Sequence, residues 1–255
     1  MSRRALVMPP RVRATSQPLV AAAEARGLPV ITPDQAVPGH CHYYGGPGVA
    51  DTLALDLALL EPPDSWLPSL PEELTARRIT ATTLGGTRLT APAFVKPPSA
   101  KHLPPRVYRD QADLTAAAAG LPPETPLLLS EVTAFAAEYR LYLLDGEIHT
   151  GSRYLTWGNL DPARLAGDPE TPRVLDFAKA LLAGHADTLP SAVVLDIGLT
   201  GPPADPRRRP AVVEANLAWF TEPYQSDPDR ALEVILRAAG PRAELRGRDA
   251  RFVRG

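Results

Sequence analysis

The chain has 255 residues and a formal net charge of −2 at pH 7, which gives no general attraction to nucleic acid or anionic membranes, so we expect neither partner. The length predicts roughly one or two domains, and a single cysteine, Cys41, excludes an internal disulfide. No apolar run reaches the ~18 residues of a membrane span, so we expect a cytoplasmic protein.

The first third of the chain predicts a small α/β lobe. The segments "RALVM", "SQPLVAAAEARG" and "LPVITP" indicate a strand, a helix and a strand, with Ser16 as the helix N-cap and Gly27 as its stop. A glycine-rich turn then leads into a predicted apolar helix from about Asp51 to just before Pro62. Because a proline-dense segment follows, we place the first lobe at residues 1–75.

The rest of the chain predicts short strands, an alanine-rich helix at "DLTAAAAG", a tight hairpin and two later helices. Strands are indicated at "RRITATTL", "TRLTAPAFVKP" and "TPLLLSEV", and "EYRLYLLDGEIHTGSRYL" is typical of a hairpin that turns at Asp-Gly. The helix "TPRVLDFAKALLAG", the strands "SAVVLDIGL" and "PAVVEANLAW" and the helix "SDPDRALEVILRAAG" follow. We therefore place a central lobe at residues 76–130, a C-terminal lobe at 131–240 and a basic, mobile tail at 241–255.

Lysine is rare in this chain. Of 27 basic residues only three are lysines, and Lys96 and Lys101 both lie in "AFVKPPSAK", at the end of a predicted strand and in the loop after it. A lysine ammonium is a compact, mobile charge that suits phosphate oxygens, whereas the arginine fork suits bidentate partners. The pair therefore indicates a phosphate site, with chance placement on a solvated surface as the alternative.

Two late strands carry hard oxygen ligands. Asp196 lies in "VVLDIG", and Glu214 and Asn216 lie in "VVEAN". Residues two apart on a strand share a face, so we expect Glu214 and Asn216 to point the same way as Val212, and Val213 to point into the core. Carboxylate and amide oxygens suit Mg²⁺, which usually shares its shell with substrate phosphates. A magnesium site and a solvated sheet face are the two interpretations.

A third group of charges lies in "SEVTAFAAEYR". Glu138 and Arg140 are two residues apart and would share one face of a strand. They either pair with each other at a sheet edge or bind a ligand together.

The order of these features resembles the ATP-grasp superfamily: a strand lysine before a loop, a glutamate, an acid with an arginine, and then Asp and Glu-x-Asn. More closely, the chain is similar to a bacterial family of small ATP-grasp proteins related to the ribosomal-protein glutamate ligases, over nearly its whole length. The resemblance implies an ATP-grasp fold of α/β and α+β class. An N-terminal Rossmann-like lobe would precede two α+β lobes that sandwich the nucleotide.

The resemblance also implies roles for single residues. Lys96 matches the lysine that contacts the α- and β-phosphates, and Arg140 matches the arginine that stabilises the transferring phosphoryl group, so these two are the implied catalytic residues. Residues 131–134 would form the adenine hinge, and Glu138 would bind the ribose. The implied nucleotide-binding set is Lys96, Lys101, Glu131, Val132, Thr133, Ala134, Glu138 and Arg140. The implied magnesium ligands are Asp196, Glu214 and Asn216.

The activity that the resemblance implies is an ATP- and Mg²⁺-dependent ligase, in which ATP phosphorylates a carboxylate and an amine displaces the phosphate. The expected partners are therefore small-molecule or peptide carboxylates and amines. A nucleotide-binding module without turnover and a small-molecule kinase stay open as alternatives. The chain departs from the family pattern where Arg77 or Arg78 replaces a lysine and where the loop "PPSAKHLPP" lacks glycine. Candidates for substrate contact are Arg153, Tyr154, Trp219 and Tyr224.

Overall fold

The computed structural model describes residues 4–98, 102–202, 205 and 207–255, so the predicted phosphate contact at Lys101 lies outside the described residues. The first lobe contains β1 (Ala5–Val7), α1 (Pro10–Thr15), α2 (Gln17–Ala25), β2 (Val30–Ile31), β3 (Cys41–Tyr43), α3 (Pro47–Ala50), β4 (Leu57–Leu59), α4 (Trp66–Ser69) and α5 (Glu72–Thr75). Its parallel sheet has the order β2-β1-β3. The predicted strand, helix and strand at the start of the lobe are confirmed.

The central lobe contains β5 (Ile79–Thr83), β6 (Ala93–Lys96), β7 (Arg106–Tyr108), α6 (Gln111–Ala117) and β8 (Pro126–Ser130). These strands form an antiparallel sheet in the order β5-β8-β6-β7. A small core of its own, including Val95, Leu103 and Leu114, holds α6 against this sheet. Three of the four strands match the sequence prediction. The fourth, β7, has only three residues and gives too short a pattern to recognise.

The last part of the chain contains β9 (Phe135–Leu144), β10 (Glu147–Thr156), β11 (Asn159–Arg164), α7 (Thr171–His185), β12 (Ala192–Thr200), β13 (Pro210–Asn216), α8 (Pro228–Ala238) and β14 (Ala239–Pro241). Strands β9 to β13 form an antiparallel sheet in the order β11-β10-β9-β12-β13. The predicted hairpin is confirmed, and Asp145 and Gly146 at its turn have φ angles of 52° and 83°. Among the described residues, none of the helices is long and apolar enough to cross a bilayer.

The two faces of this five-stranded sheet pack into different cores. Leu141 and Leu195 join the core under α7, whereas their neighbours Tyr142 and Val194 join the core that α8 shares with the first lobe. This alternation follows from the strand period of two. The first lobe is therefore anchored on one face of the sheet, and Arg140 lies two residues before Tyr142 on that same face.

Residues 51–61 do not form the predicted apolar helix. They contain β4 instead, which pairs antiparallel with β14. Asp56, just before β4, has a positive φ of 52°, which a right-handed helix does not accommodate. The alternating leucines before Pro62 fit a strand as well as a helix, and the pairing with β14 decides between the two.

The final segment, residues 241–255, is packed against the protein, so its interpretation as a mobile tail is wrong. Asp249 is buried and accepts hydrogen bonds from the Ser191 backbone nitrogen at 2.7 Å and the Ser191 hydroxyl at 2.6 Å. Val253 forms a β-bridge with Leu60, and Phe252 is buried. The high arginine content of this segment suggested a solvated tail, and the few residues that anchor it gave no clear pattern in the sequence.

Candidate functional site

A cleft of about 830 Å³ lies between the sheet of the central lobe and the five-stranded sheet. Both sheets contribute polar and apolar side chains to its walls, and residues 131–134 connect the two sheets along one side. Clefts of this size hold cofactor-sized ligands. Its walls include Phe94, Lys96, Glu138, Tyr154, Glu214 and Asn216.

Three charged residues form a row across neighbouring strands beside this cleft. The strand register places Arg140 of β9 opposite Asp196 of β12, and Asp196 opposite Glu214 of β13. Arg140 donates from Nε to Asp196 Oδ1 at 3.0 Å and from Nη2 to Oδ2 at 2.8 Å. Because Asp196 is fully buried, this bidentate pair supplies the cation that its carboxylate requires.

Asn216 and Lys96 extend the row toward the central lobe. The Asn216 amide nitrogen donates to Asp196 Oδ2 at 3.0 Å and to Glu214 Oε1 at 2.9 Å. The Lys96 ammonium, at the end of β6, donates to Glu214 Oε2 across the cleft. The structure therefore brings together five of the six residues that the sequence assigned to phosphate and magnesium binding, Lys101 being outside the described residues, and their roles stay predictions.

The two carboxylates respond differently to this environment. Burial acts to raise the pKa of Glu214, but the charge and hydrogen bond of Lys96 outweigh it and hold that pKa at about 2. For Asp196, burial outweighs the charge of Arg140, and the pKa is raised. The low pKa of Glu214 thus depends mainly on a cation from across the cleft.

These side chains fit a magnesium ion. Oxygens of Asp196 and Glu214 lie within hydrogen-bond distance of one Asn216 nitrogen, so they are close enough to share a cation, and rotating the Asn216 amide would turn its oxygen toward the same point. Among the described residues there is no cluster of three or more His, Cys, Asp or Glu that could hold a metal ion. A site with two carboxylates and an amide therefore leaves positions of the octahedral shell for water and substrate oxygens.

Glu138 is bound by a tyrosine instead of by Arg140. The Tyr154 hydroxyl donates to Glu138 Oε2 at 2.7 Å, and burial raises the pKa of Glu138. The Tyr154 ring stacks on Tyr224 with centroids 5.5 Å apart, and the Arg140 guanidinium lies 4.5 Å from the Tyr154 centroid. The Glu138–Arg140 pairing that the sequence offered as one alternative is therefore not formed, and the aromatic support of Arg140 had no sequence signal.

The predicted hinge residues Glu131, Val132, Thr133 and Ala134 all line the cleft. The Glu131 side chain is exposed and forms an ion pair of 3.5 Å with Arg78. Val132 and Trp157 are large exposed apolar side chains at the rim. Such a rim can cover an aromatic base, but the roles of these residues remain predictions.

Arg77 and Arg78, the two candidates for a missing lysine, have different environments. Arg77 is buried and donates to the backbone carbonyls of Val212 at 3.0 Å and Val213 at 2.9 Å. Arg78 is exposed. Arg77 thus fixes the backbone of β13 beside the site, and a lysine with a single nitrogen would not bond both carbonyls in the same planar way.

A β-bulge at Val213 changes the predicted orientation of β13. Glu214 pairs with Asp196, whereas Val212 pairs with the next residue of β12, so Val213 is an extra residue in the ladder. Val212 is therefore buried in the core, and Val213 lines the cleft with Glu214. The prediction that Val212 shares the face of Glu214 is wrong, because simple alternation does not include bulges.

Two candidates for substrate contact are engaged elsewhere. Trp219 is fully buried and donates to the Leu60 carbonyl at 2.9 Å. Arg153 pairs with Asp161 at 2.9 Å and with Asp168 at 2.8 Å. The space next to the row of charges is instead a second cavity of about 370 Å³, lined in part by Arg140, Glu222 and Phe220, which sequence analysis did not single out as a group.

Gly198 provides a stability test of this sheet. A Cβ at Gly198 would overlap the ring of Phe135, a cleft residue over which Arg77 also stacks. We expect Gly198→Ala to lower the free energy of unfolding by about 1–3 kcal/mol, as measured by urea denaturation. Gly184→Ala in α7 is the control, because nothing lies within 4 Å of its Cβ position and alanine favours helix. Equal effects of the two substitutions would contradict the packing described.

Comparisons with known proteins add independent findings. The model of a family described as an ATP-grasp domain matches residues 74–234 of this chain. No curated protein gives a significant sequence match to the chain.

Several solved structures are similar. The RimK domain protein ATP-grasp from Sphaerobacter thermophilus DSM 20745 is 15% identical with a TM-score of 0.53, over 91% of this chain and 99% of that chain. D-cycloserine synthetase DcsG is 15% identical with a TM-score of 0.55, over 92% and 98%. D-alanine–D-alanine ligase from Bacillus anthracis is 12% identical with a TM-score of 0.53, over 93% and 97%. At these identities the similarity shows the fold alone, and it confirms the predicted ATP-grasp fold.

Proposed function

The chain belongs to this family of ATP-grasp domains, and from that premise we propose that it is an ATP- and Mg²⁺-dependent ligase that joins a carboxylate to an amine. The observation that carries the proposal is the position of Lys96, Glu214 and Asn216, which line both a nucleotide-sized cleft and a second cavity. The cleft would hold ATP, and the second cavity would hold the molecules to be joined. Such an enzyme would use the ATP of the cytoplasm.

The proposed reaction has two steps. A carboxylate oxygen of the acid substrate attacks the γ-phosphorus of ATP, the bond from that phosphorus to the β–γ bridging oxygen breaks, and ADP and an acyl phosphate result. The amine nitrogen then attacks the acyl carbon, the bond from that carbon to the phosphate oxygen breaks, and an amide and inorganic phosphate leave. Neither step needs a protein nucleophile, which agrees with a site made of cations and carboxylates.

Lys96 and Arg140 would supply positive charge in complementary ways. Lys96 is on a flexible stem, so its ammonium can turn from Glu214 to the phosphate oxygens. Arg140 is held in place by Asp196 and by the Tyr154 ring, so its charge is already oriented before the substrate binds. A fixed positive charge of this kind stabilises the transition state of phosphoryl transfer, in which negative charge develops, more than it stabilises the ground state.

The remaining predicted residues would bind the nucleotide and metal. Asp196, Glu214 and Asn216 would hold Mg²⁺, which when bound neutralises charge on the phosphates. Residues 131–134 would lie against the adenine, and Glu138 against the ribose. The division of the chain after residues 75, 130 and 240 belongs to the same proposal. The cleft lies between the central lobe, residues 76–130, and the C-terminal lobe, residues 131–240, so the nucleotide would bind between these two lobes.

Two other functions would use the same cleft. A nucleotide-binding module without turnover has no need of an acceptor cavity, whereas a small-molecule kinase would stop after the first step and release no free phosphate. The second cavity beside Lys96 and Arg140 favours an enzyme over the module. The release of inorganic phosphate separates the ligase from the kinase.

Substitution of Lys96 tests the phosphate contact. We expect Lys96→Ala to weaken ATP binding about 10- to 100-fold in calorimetric titration with Mg²⁺, because hydrogen bonds to charged groups contribute about 1.5–3 kcal/mol. Lys179→Ala is the matched control, since Lys179 is exposed on α7. Unchanged ATP affinity in Lys96→Ala would remove Lys96 from the nucleotide site.

A further inference from the structure

The second cavity adjoins the place where the two proposed steps would meet. It shares Lys96, Glu214 and Asn216 with the larger cleft, and Arg140 lies on its wall but not on that of the cleft. A molecule in this cavity would therefore approach the proposed phosphate site from the side opposite the nucleotide. Glu222, on the connection between β13 and α8, lines the same cavity.

Glu222 lacks, within the part of the chain that the structure describes, the cationic partner that Asp196 and Glu214 each have. Asp196 pairs with Arg140 and Glu214 pairs with Lys96, but among the described residues no cation lies within ion-pair distance of Glu222. Its carboxylate receives a long hydrogen bond of 3.5 Å from the Ser16 hydroxyl. Arg140 donates to the backbone carbonyl of Glu222 at 3.3 Å, while its other nitrogens bind Asp196. A partly buried anion thus faces the cavity without a cationic partner.

The burial of Glu222 is consistent with an exchange of protons at this position. Burial raises the pKa of its carboxyl group, while the Ser16 hydroxyl, the Arg140 charge and a hydrogen bond from the Tyr224 backbone act in the opposite direction. A carboxylate with a raised pKa is a better proton acceptor than an ordinary glutamate.

The walls of the cavity limit what it can hold. Trp66, Leu217, Phe220 and three prolines supply apolar surface, and the volume of about 370 Å³ is near the lower end for small-molecule sites. An amino acid or a similarly small molecule fits this volume. The cavity offers such a molecule the partly buried Glu222 carboxylate together with apolar contact, and a second carboxylate, Asp64, lies on its wall at an exposed position.

We propose that the second cavity binds the amine substrate, a primary amine on a molecule of about amino-acid size, and that Glu222 receives its ammonium group and then its proton. This inference rests on the proposed ligase function. The ammonium transfers one proton to a Glu222 oxygen, and the nitrogen lone pair then attacks the acyl carbon of the acyl phosphate. The carbon–oxygen bond to phosphate breaks, the second nitrogen proton leaves with inorganic phosphate, and the amide remains.

Hydroxylamine separates this role from a purely structural one. It is largely neutral near neutral pH, so it attacks an acyl phosphate without a base and gives a hydroxamate. The wild-type protein and Glu222→Gln are incubated with Mg²⁺ and ATP and the common amino acids as acids and amines, with and without hydroxylamine. Phosphate, hydroxamate and amide products are measured, and ATP affinity and thermal unfolding check that the site is intact.

We expect Glu222→Gln to lose amide formation about 10²-fold or more while it keeps hydroxamate formation near the wild-type rate. Glu222→Asp, which keeps the carboxylate, should retain part of the amide activity. The matched control Glu147→Gln, at an exposed position on β10, should match wild type.

The outcomes distinguish the inference from the function on which it rests. If Glu222→Gln keeps amide formation, or loses amide and hydroxamate alike, the role of Glu222 is overturned while the ligase function stands. If the wild-type protein makes neither product, the ligase function itself is overturned, and the role of Glu222 falls with it.

Discussion

Replacement of Arg140 by methionine is expected to lower the free energy of unfolding by about 3–5 kcal/mol, because it leaves the fully buried carboxylate of Asp196 without its cation. Urea denaturation measures this change. Arg106→Met removes an equally bidentate pair, with Asp113, but Arg106 is exposed to solvent, so we expect a much smaller effect.

The double variant Arg140→Met with Asp196→Leu sharpens this test. Because it removes both charges, it should recover most of the lost stability, as apolar replacements of buried ion pairs commonly do. It should not recover ligase activity, since both the proposed phosphoryl contact and a magnesium ligand are gone. If the single variant were as stable as wild type, the pair would not be the buried contact described.

Glu214→Gln is expected to raise the magnesium concentration that supports half-maximal ATP binding by about 10- to 100-fold. Metal affinity falls by about this factor even when the residue removed is only a hydrogen-bond partner of a metal ligand. The neutral amide still accepts a hydrogen bond from Lys96 but no longer adds a negative charge to the cation site. Calorimetric titration of ATP at graded MgCl₂ measures the shift, independently of turnover.

The control for that experiment is Glu124→Gln, which alters an exposed carboxylate of the central lobe. The two variants have the same formal charge, so a general charge effect would move both titrations equally. An unchanged magnesium titration in Glu214→Gln would take Glu214 out of the ligand set.

The elements with clear periodicity were predictable from sequence, whereas those decided by distant pairing were not. The hairpin at Asp145–Gly146 and the amphipathic helix α8, which Asp227 caps, follow from local chemistry. Strand β4 and the packed C-terminal segment depend on contacts between residues nearly two hundred positions apart, which no local pattern specifies.

The same distinction applies to the site. The spacing of Glu214 and Asn216 indicated a shared face, but the row that they form with Arg140 depends on the register of three strands. The bulge at Val213 had no sequence signal, because a bulge adds a residue to a strand without changing its composition. Glu222, in the second cavity, had none either, because a single glutamate in the sequence resembles any solvent-exposed glutamate. Trp219, which the sequence analysis proposed as a substrate contact, is completely buried.

The most direct test of the ligase assignment is the yield of ADP and inorganic phosphate from Mg²⁺ and ATP in the presence of the common amino acids and short peptides. The ligase predicts both products in equal amounts, and only when the amino acids or peptides that supply the acid and the amine are present. Tight ATP binding with no release of either product would contradict it and favour a nucleotide-binding module. ADP with a phosphorylated product and no free phosphate would contradict it in favour of a kinase.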